Sequence, residues 1–191
     1  IGCGNGVFLG RALECGWEVH GVEPDPAAAK VARESSRNIH QTAFESFETL
    51  LRFDTITASH VIEHVYDPIE FVEHALALLK PGGTFWLSTP NADSIGHGWY
   101  REAWRGLEPP RHLSIFSASA LVETFRRAGF ERVTLHRRGR GSNYIVRESQ
   151  LNSLKLGKSR QRILPPWLVD LAASISPALG EELIVTGVRT K

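Results

Sequence analysis

Gly2, Gly4 and Gly6 alternate through "IGCGNG" at the start of the chain, with Cys3 between the first two. Glycines at this spacing let a strand-to-helix turn take backbone angles closed to other residues. They also let a ligand come close to the main chain with no Cβ in the way. The chemistry suggested is nucleotide binding, although the order is G-x-G-x-G rather than G-x-G-x-x-G and Val7 stands where a further small residue would follow. Glu23 lies at about the 20-residue spacing at which an acidic side chain meets ribose hydroxyls in such a unit. A carboxylate there can accept from both hydroxyls of an adenosine with a free 2′-OH.

A second cluster competes with the first. His60-Val61-Ile62-Glu63-His64 spells H-x-x-E-H, in which two histidines on a helix would bind zinc and the glutamate would act as base. That reading needs a helix, yet "FDTITAS" before it is dense in β-branched residues and Asp67-Pro68 breaks the chain soon after. The letters fit a loop after a strand better, and no metal site is assigned. His112 stands apart from the other histidines because "EPPRHLSIF" lies in a long connection facing the carboxyl ends of the strands, where open α/β sheets bind their ligands.

The elements that must position these groups alternate. Apolar residues from Asn5 to Cys15 predict a helix closed by Gly16, and "WEVHGV" predicts a strand stopped by Pro24. Asp25-Pro26 and Asp67-Pro68 each read as an N-cap followed by proline in the first turn, the first opening a helix that runs through Val31 and Ala32 and the second one that ends at "KPGG". "NIHQTAF" is a weak strand, "ESFETLL" a short helix, "FDTITAS" and "TFWLSTP" strands. Residues 90–116 read as a long functional loop. Ser117 to Gly129 bounds an amphipathic helix, followed by the strand "ERVTLHRR". Residues 138–162 read as a basic excursion, then a helix runs from near Pro166 to near Pro177, and "EELIVTGVRT" is the last strand. Strands and helices alternating in this way imply βαβ units and a largely parallel sheet covered on both faces.

Composition sets the outer bounds. The chain has 191 residues, 42% hydrophobic and 23% charged, suited to one domain with its own core. Lys and Arg number 22 against 21 Asp and Glu, a formal net charge of +1, so no overall field argues for nucleic acid. Two cysteines, Cys3 and Cys15, with no secretory leader pattern, suggest a reducing compartment, the cytoplasm. The absence of methionine, position 1 included, leads to the expectation that the chain is N-terminally incomplete and that its first strand is truncated at Ile1.

"IGCGNG", "GVEPDP", "FDTITASHVIEHVYDP" and "LKPGGTFWLSTPN", in that order, resemble the class I S-adenosylmethionine-dependent methyltransferases. With "WRGLEPPRHLSIFSASALVETFRRAGF" the chain looks like the branch that includes the quinone-biosynthesis type and other small-molecule enzymes. The resemblance implies a Rossmann-like, doubly wound, mostly parallel seven-stranded sheet with an antiparallel last strand. It implies S-adenosylmethionine as cofactor, S-adenosylhomocysteine as product, and methyl transfer to oxygen or carbon of a small molecule. Cofactor contacts carried over by that resemblance are Gly2, Cys3, Gly4 and Gly6 for the methionine part, Glu23 for the ribose, and Pro24, Phe44 and Glu45 around the adenine. Ser59 and His60 would border the sulfonium. Should the acceptor be a hydroxyl, His60, His64 or His112 are the candidate bases, a histidine being poised near neutral pH.

One methyltransferase domain is therefore expected over 1–191, with a helical and basic insertion at about 140–178 before the last strand. Trp167, Leu168, Val169 and Leu171 beside Lys155, Lys158, Arg160 and Arg162 make peripheral membrane contact one role open to it, and a cap packed on the domain another. Two other functions stay open at this point: a non-catalytic Rossmann-like protein acting through its basic insertion, and a nicotinamide-dependent oxidoreductase. Oligomeric state is not readable.

Overall fold

A computed structural model of the chain describes residues 1–138, 141–158 and 163–190. Helix α1 (Val7–Glu14) leaves the glycine turn and leads to a two-residue strand, β1 (Gly21–Val22). Helix α2 (Pro26–Ser35) follows, then β2 (Ile39–His40), β3 (Phe53–Ser59), α3 (Pro68–Leu78) and β4 (Leu79–Pro90). Both Asp-Pro starts behave as their chemistry requires. Asp25 accepts from the N–H groups of Ala27 and Ala28, and Asp67 from those of Ile69 and Glu70, so donors with no partner inside the helix are satisfied. The second half holds α4 (Ile95–Tyr100), α5 (Ala118–Arg127), β5 (Arg132–His136), α6 (Asn143–Lys155), α7 (Pro166–Ile175) and β6 (Glu182–Val188).

Among the described residues there are two sheets rather than one of seven strands. β1 and β2 pair in parallel, and the main sheet runs β3-β4-β6-β5. β3 and β4 are parallel, and β6 is antiparallel to β4 and to β5, so the antiparallel last strand is present. The two sheets are bridged by residues 1–3. The Ile1 nitrogen donates to the Thr57 carbonyl of β3 at 2.7 Å and Cys3 N–H to the Val22 carbonyl of β1 at 3.1 Å, one bond each way instead of a ladder.

Three other segments differ from expectation. "ESFETLL" forms a single 3-10 turn at Phe44–Ser46, because Phe44 and Phe47 are buried while Leu50 is 98% exposed and no helical apolar stripe exists. Residues 90–116 are not a bare loop. They carry α4 and two 3-10 turns at Arg101–Ala103 and Arg105–Leu107. Within 138–162, α6 replaces the expected excursion. Its buried face includes Val146, Ser149 and Ser153, and serines give no hydrophobic period. Gly139, Arg140, Arg160 and Arg162, part of the basic run, lie outside the described residues.

The main core lies between the sheet and helices α3 and α5, with Phe85, Phe125 and Phe130 in mutual ring contact. A second, smaller core joins the 95–107 segment to the insertion through Tyr100, Trp104, Val146, Leu164 and Val169. Trp104 donates from Nε1 to Glu181 Oε2 at 2.6 Å, and Gly96 N–H donates to Glu181 Oε1 at 2.8 Å. Burial pushes the Glu181 carboxyl upward, against the pull of the Trp104 and Gly96 donors. The insertion is thus fastened to the start of β6, directly above the carboxyl ends of β3 and β4.

Candidate active site

The glycine turn takes left-handed angles, φ +64° at Gly2 and +81° at Gly6. A Cβ on Gly2 would stand 2.6 Å from Val61 Cγ2, and one on Gly6 2.9 Å from the Ala32 backbone, so the first lets the turn meet the loop after β3 and the second lets α1 meet α2. Glu23 fixes the turn from the other side. It accepts Gly4 N–H at 2.8 Å on Oε2 and Asp25 N–H at 3.0 Å on Oε1, in a residue 8% exposed. Each oxygen keeps a further lone pair for a ligand hydroxyl.

These elements enclose a cavity of about 460 Å³ at the carboxyl ends of β1 and β3. Gly2, Glu23, Pro24, Phe44, Glu45, His60 and His64 line it, joined by Val61 and Arg111. Seven of the sequence-predicted site residues therefore converge on one space. Gly4 borders it through its bond to Glu23, while Gly6 serves helix packing. Cys3 and Ser59 line a neighbouring cleft of about 490 Å³ across residues 1–3, walled by Phe8, Leu9, Trp17, Phe47 and Phe53, which none of Glu23, His60 or His64 reaches. Burial pushes the Cys3 thiol up, and Ser59 Oγ is paired with Ser88 Oγ at 2.9 Å.

H-x-x-E-H does not form the two-histidine helix face. Residues 62–64 make one 3-10 turn, and His60 precedes it with φ +55°. Its ring is bracketed by carboxylates, Nδ1 3.1 Å from Glu63 Oε1 and Nε2 3.2 Å from Glu182 Oε1. Glu182, then Glu63, hold the imidazolium up to about 9 against the effect of partial burial. Burial pushes Glu182 up, but His60 and Arg138, 2.7 Å away, outweigh it and hold the carboxyl below its usual range. Glu63 is fully buried and also accepts from Thr89 Oγ1 at 2.9 Å. Near neutral pH both carboxylates thus hold His60 toward its cationic form, which opposes a role as base.

His64 and His112 differ. The rings meet edge to face at 4.9 Å. His64 Nδ1 lies 2.8 Å from the Arg111 carbonyl and His112 Nδ1 2.7 Å from the Gly106 carbonyl. A carbonyl only accepts, so Nδ1 carries the proton in both rings. His64 faces the cavity, and the His112 imidazole, 6% exposed, stands behind it. The 111–114 segment is held in place by the Glu63 carbonyl, which accepts Leu113 N–H at 2.7 Å.

Residues 1–135 match the family model described as "Methyltransferase domain". The chain belongs to this methyltransferase family. It is 37% identical over 103 residues to the ubiquinone biosynthesis O-methyltransferase of Actinobacillus pleuropneumoniae serotype 7, a match covering 48% of this chain and 44% of that protein. The chain spans less than half the length of the curated relatives it matches. Among solved structures, a possible histamine N-methyltransferase of Thermotoga maritima aligns with TM-score 0.65 at 20% identity, over 100% of this chain and 80% of that one. The phosphoethanolamine N-methyltransferase 2 of Haemonchus contortus, in complex with S-adenosylmethionine, aligns with TM-score 0.67 at 14% identity, over 100% and 47%. The chain has a Rossmann-like fold with a mixed sheet.

Thr89, Glu182, Arg138 and Glu181 escaped the sequence reading. Each acts through a partner distant in the chain, and no local spacing marks such a pair. Glu63 was visible inside H-x-x-E-H, but with a different task.

Proposed function

We propose that the chain catalyses S-adenosylmethionine-dependent methyl transfer to oxygen or carbon of a small-molecule acceptor, releasing S-adenosylhomocysteine. The observation that carries this reading is the single cavity shared by Gly2, Glu23, Pro24, Phe44, Glu45, His60 and His64 in a chain of the methyltransferase family. The donor set suits the cofactor: Glu23 keeps lone pairs for ribose hydroxyls, and Phe44 with Pro24 offers an apolar wall for adenine. S-adenosylmethionine supplies a methyl group already activated by its sulfonium. The chain's own residues then have to align the acceptor and shed water.

Glu23 holds the glycine turn, and Val61 packs on Gly2 to set the cavity floor. His60, ion-paired on both sides, ties this floor to β6 and is held toward its cationic form. His64 is the group that presents itself to the acceptor side. The nicotinamide-dependent and non-catalytic readings are not favoured by the family match.

Within this reading the chain is one domain whose insertion, near 140–178, forms a cap on the 95–107 segment. On α7, Trp167 and Ile175 are 63% and 67% exposed, and with Leu171 they keep a lipid surface as a peripheral partner of that cap. Among the described residues no helix is long and apolar enough to cross a membrane. Cytoplasmic residence belongs to the same proposal and rests on two unpaired thiols, Cys3 and Cys15. Calorimetry of the full-length protein with S-adenosylhomocysteine tests the core of the proposal. Saturable one-to-one binding supports it, and no heat at cofactor concentrations up to about 1 mM, near −4 kcal/mol, overturns it.

A further inference from the structure

Glu63, His64 and His112 each bring one potential ligand atom to a point where all lie within 4.8 Å of one another. The set is two imidazoles and one carboxylate, the donor combination of zinc sites that keep a fourth position open. It is not the H-x-x-E-H pair, because His60 is spent on Glu63 and Glu182 and His112 replaces it from a distant part of the chain.

The surroundings of the two rings resemble those of metal ligands. A ligating histidine nearly always donates its other ring N–H to a carbonyl or carboxylate, which fixes tautomer and orientation. Here Nδ1 of His64 and of His112 both do so, to Arg111 and Gly106 carbonyls, which makes Nε2 the nitrogen that each ring would offer a cation. The carboxylate is equally constrained. Glu63 uses one lone pair on Oε1 for His60 and one on Oε2 for Thr89, so each oxygen retains another. Glu108 Oε2 stands 3.7 Å from His112 Nε2, beyond hydrogen-bond reach, and is itself ion-paired to Arg105.

We propose that Glu63, His64 and His112 bind a zinc-class divalent cation in the wall of the cavity, behind the face that His64 presents to it. Ligand nitrogens and oxygens around tetrahedral zinc are about 3.4 Å apart, so no separation has to close by more than about 1.4 Å on binding. Imidazole with carboxylate favours a late first-row cation over magnesium or calcium. Cation binding at this wall does not depend on the proposed methyl transfer.

The test uses chelator-treated full-length protein titrated with zinc ion against a chromophoric chelator, with cobalt(II) visible absorption as a second readout. One zinc per chain at micromolar affinity or tighter is expected, with tetrahedral cobalt bands in the 500–700 nm region. His112→Ala and His64→Ala should each weaken it by at least about tenfold, as loss of even an outer partner commonly does. His20→Ala, which disrupts the separate His20–His40 ring pair, should leave it unchanged. S-adenosylhomocysteine binding by His112→Ala reports that the variant is folded. Zinc binding weaker than about 100 μM, or equal in His112→Ala, His64→Ala and the parent, overturns the site. Cofactor binding with no zinc binding defeats this inference alone, and zinc binding with no cofactor binding defeats the methyl-transfer reading alone.

Discussion

Glu23 and Gly4 are joined by a hydrogen bond of 2.8 Å from the Gly4 N–H to the Glu23 carboxylate. The residue read from spacing as a ribose ligand thus also clamps the glycine turn, and its second oxygen caps Asp25 N–H at 3.0 Å. Ligand contact and loop geometry depend on one side chain.

Replacing Glu23 by Ala removes both bonds and any ribose contact together. Hydrogen bonds to a charged group contribute about 1.5–3 kcal/mol, so S-adenosylhomocysteine affinity should fall by about 10- to 100-fold. Glu23→Gln should lose less, because its carbonyl oxygen can still accept from Gly4. Calorimetry of the two variants decides the matter, and unchanged affinity in Glu23→Ala would remove the ribose assignment.

Gly2, Gly4 and Gly6 should not respond alike to alanine. All three have φ between +54° and +81°, which costs an L-residue about 1–2 kcal/mol. Gly4→Ala meets no atom within 4 Å and should show that strain alone. Gly2→Ala adds the Val61 methyl at 2.6 Å and Gly6→Ala the Ala32 backbone at 2.9 Å, so both should unfold at lower denaturant. Val61→Ala should partly rescue Gly2→Ala, whose obstacle is a side chain, while nothing of the kind is open to Gly6→Ala. Equal midpoints for the three single variants would show that the turn relaxes freely.

His60 supplies a pH dependence whose sign follows from its partners. Its folded value is raised to about 9 from an ordinary 6.5, so the ion pairs stabilise fully below about 6.5 and the contribution is lost as pH rises through about 9. His60→Asn, which tolerates the left-handed backbone, should flatten the fall in unfolding midpoint between pH 7 and 10. In the chelator-treated protein the His60 ring signals should titrate near 9. A ring titrating near 6.5 would show that the carboxylates do not hold it, and would return His60 to the list of candidate bases.

Legibility followed range. The Asp25-Pro26 and Asp67-Pro68 helix starts were readable because cap, proline and first-turn donors sit within four residues of one another. The glycine turn and Glu23 were readable because the turn and the strand end after it recur at a set spacing. Helix α6 was hidden because its inward face carries Ser149, whose Oγ accepts Arg105 N–H at 2.8 Å and donates to the Ile145 carbonyl at 2.7 Å. The bracketing of His60 was hidden for a different reason. Glu182 lies at the far end of the chain and reaches His60 only because β6 inserts antiparallel beside β4. Such pairings arise from topology, which the sequence pattern predicts only in outline.

Glu181 and Trp104 offer a measure of how firmly the cap is attached. Both are buried, and the indole N–H and Gly96 N–H have the Glu181 carboxylate as acceptor. Glu181→Ala leaves two buried donors without it, at about 1–3 kcal/mol each. Trp104→Phe removes one donor and should be milder, although the ring also stacks on His97 at 4.9 Å. In a double-mutant cycle the two changes should couple by about 1 kcal/mol or more, since removing the carboxylate makes the indole N–H irrelevant. Because the contact lies at the start of β6, one residue from Glu182, Glu181→Ala should also loosen the His60 bracket and lower the pH at which its ring titrates. Additive losses with an unshifted His60 titration would mean that cap and cavity are energetically independent.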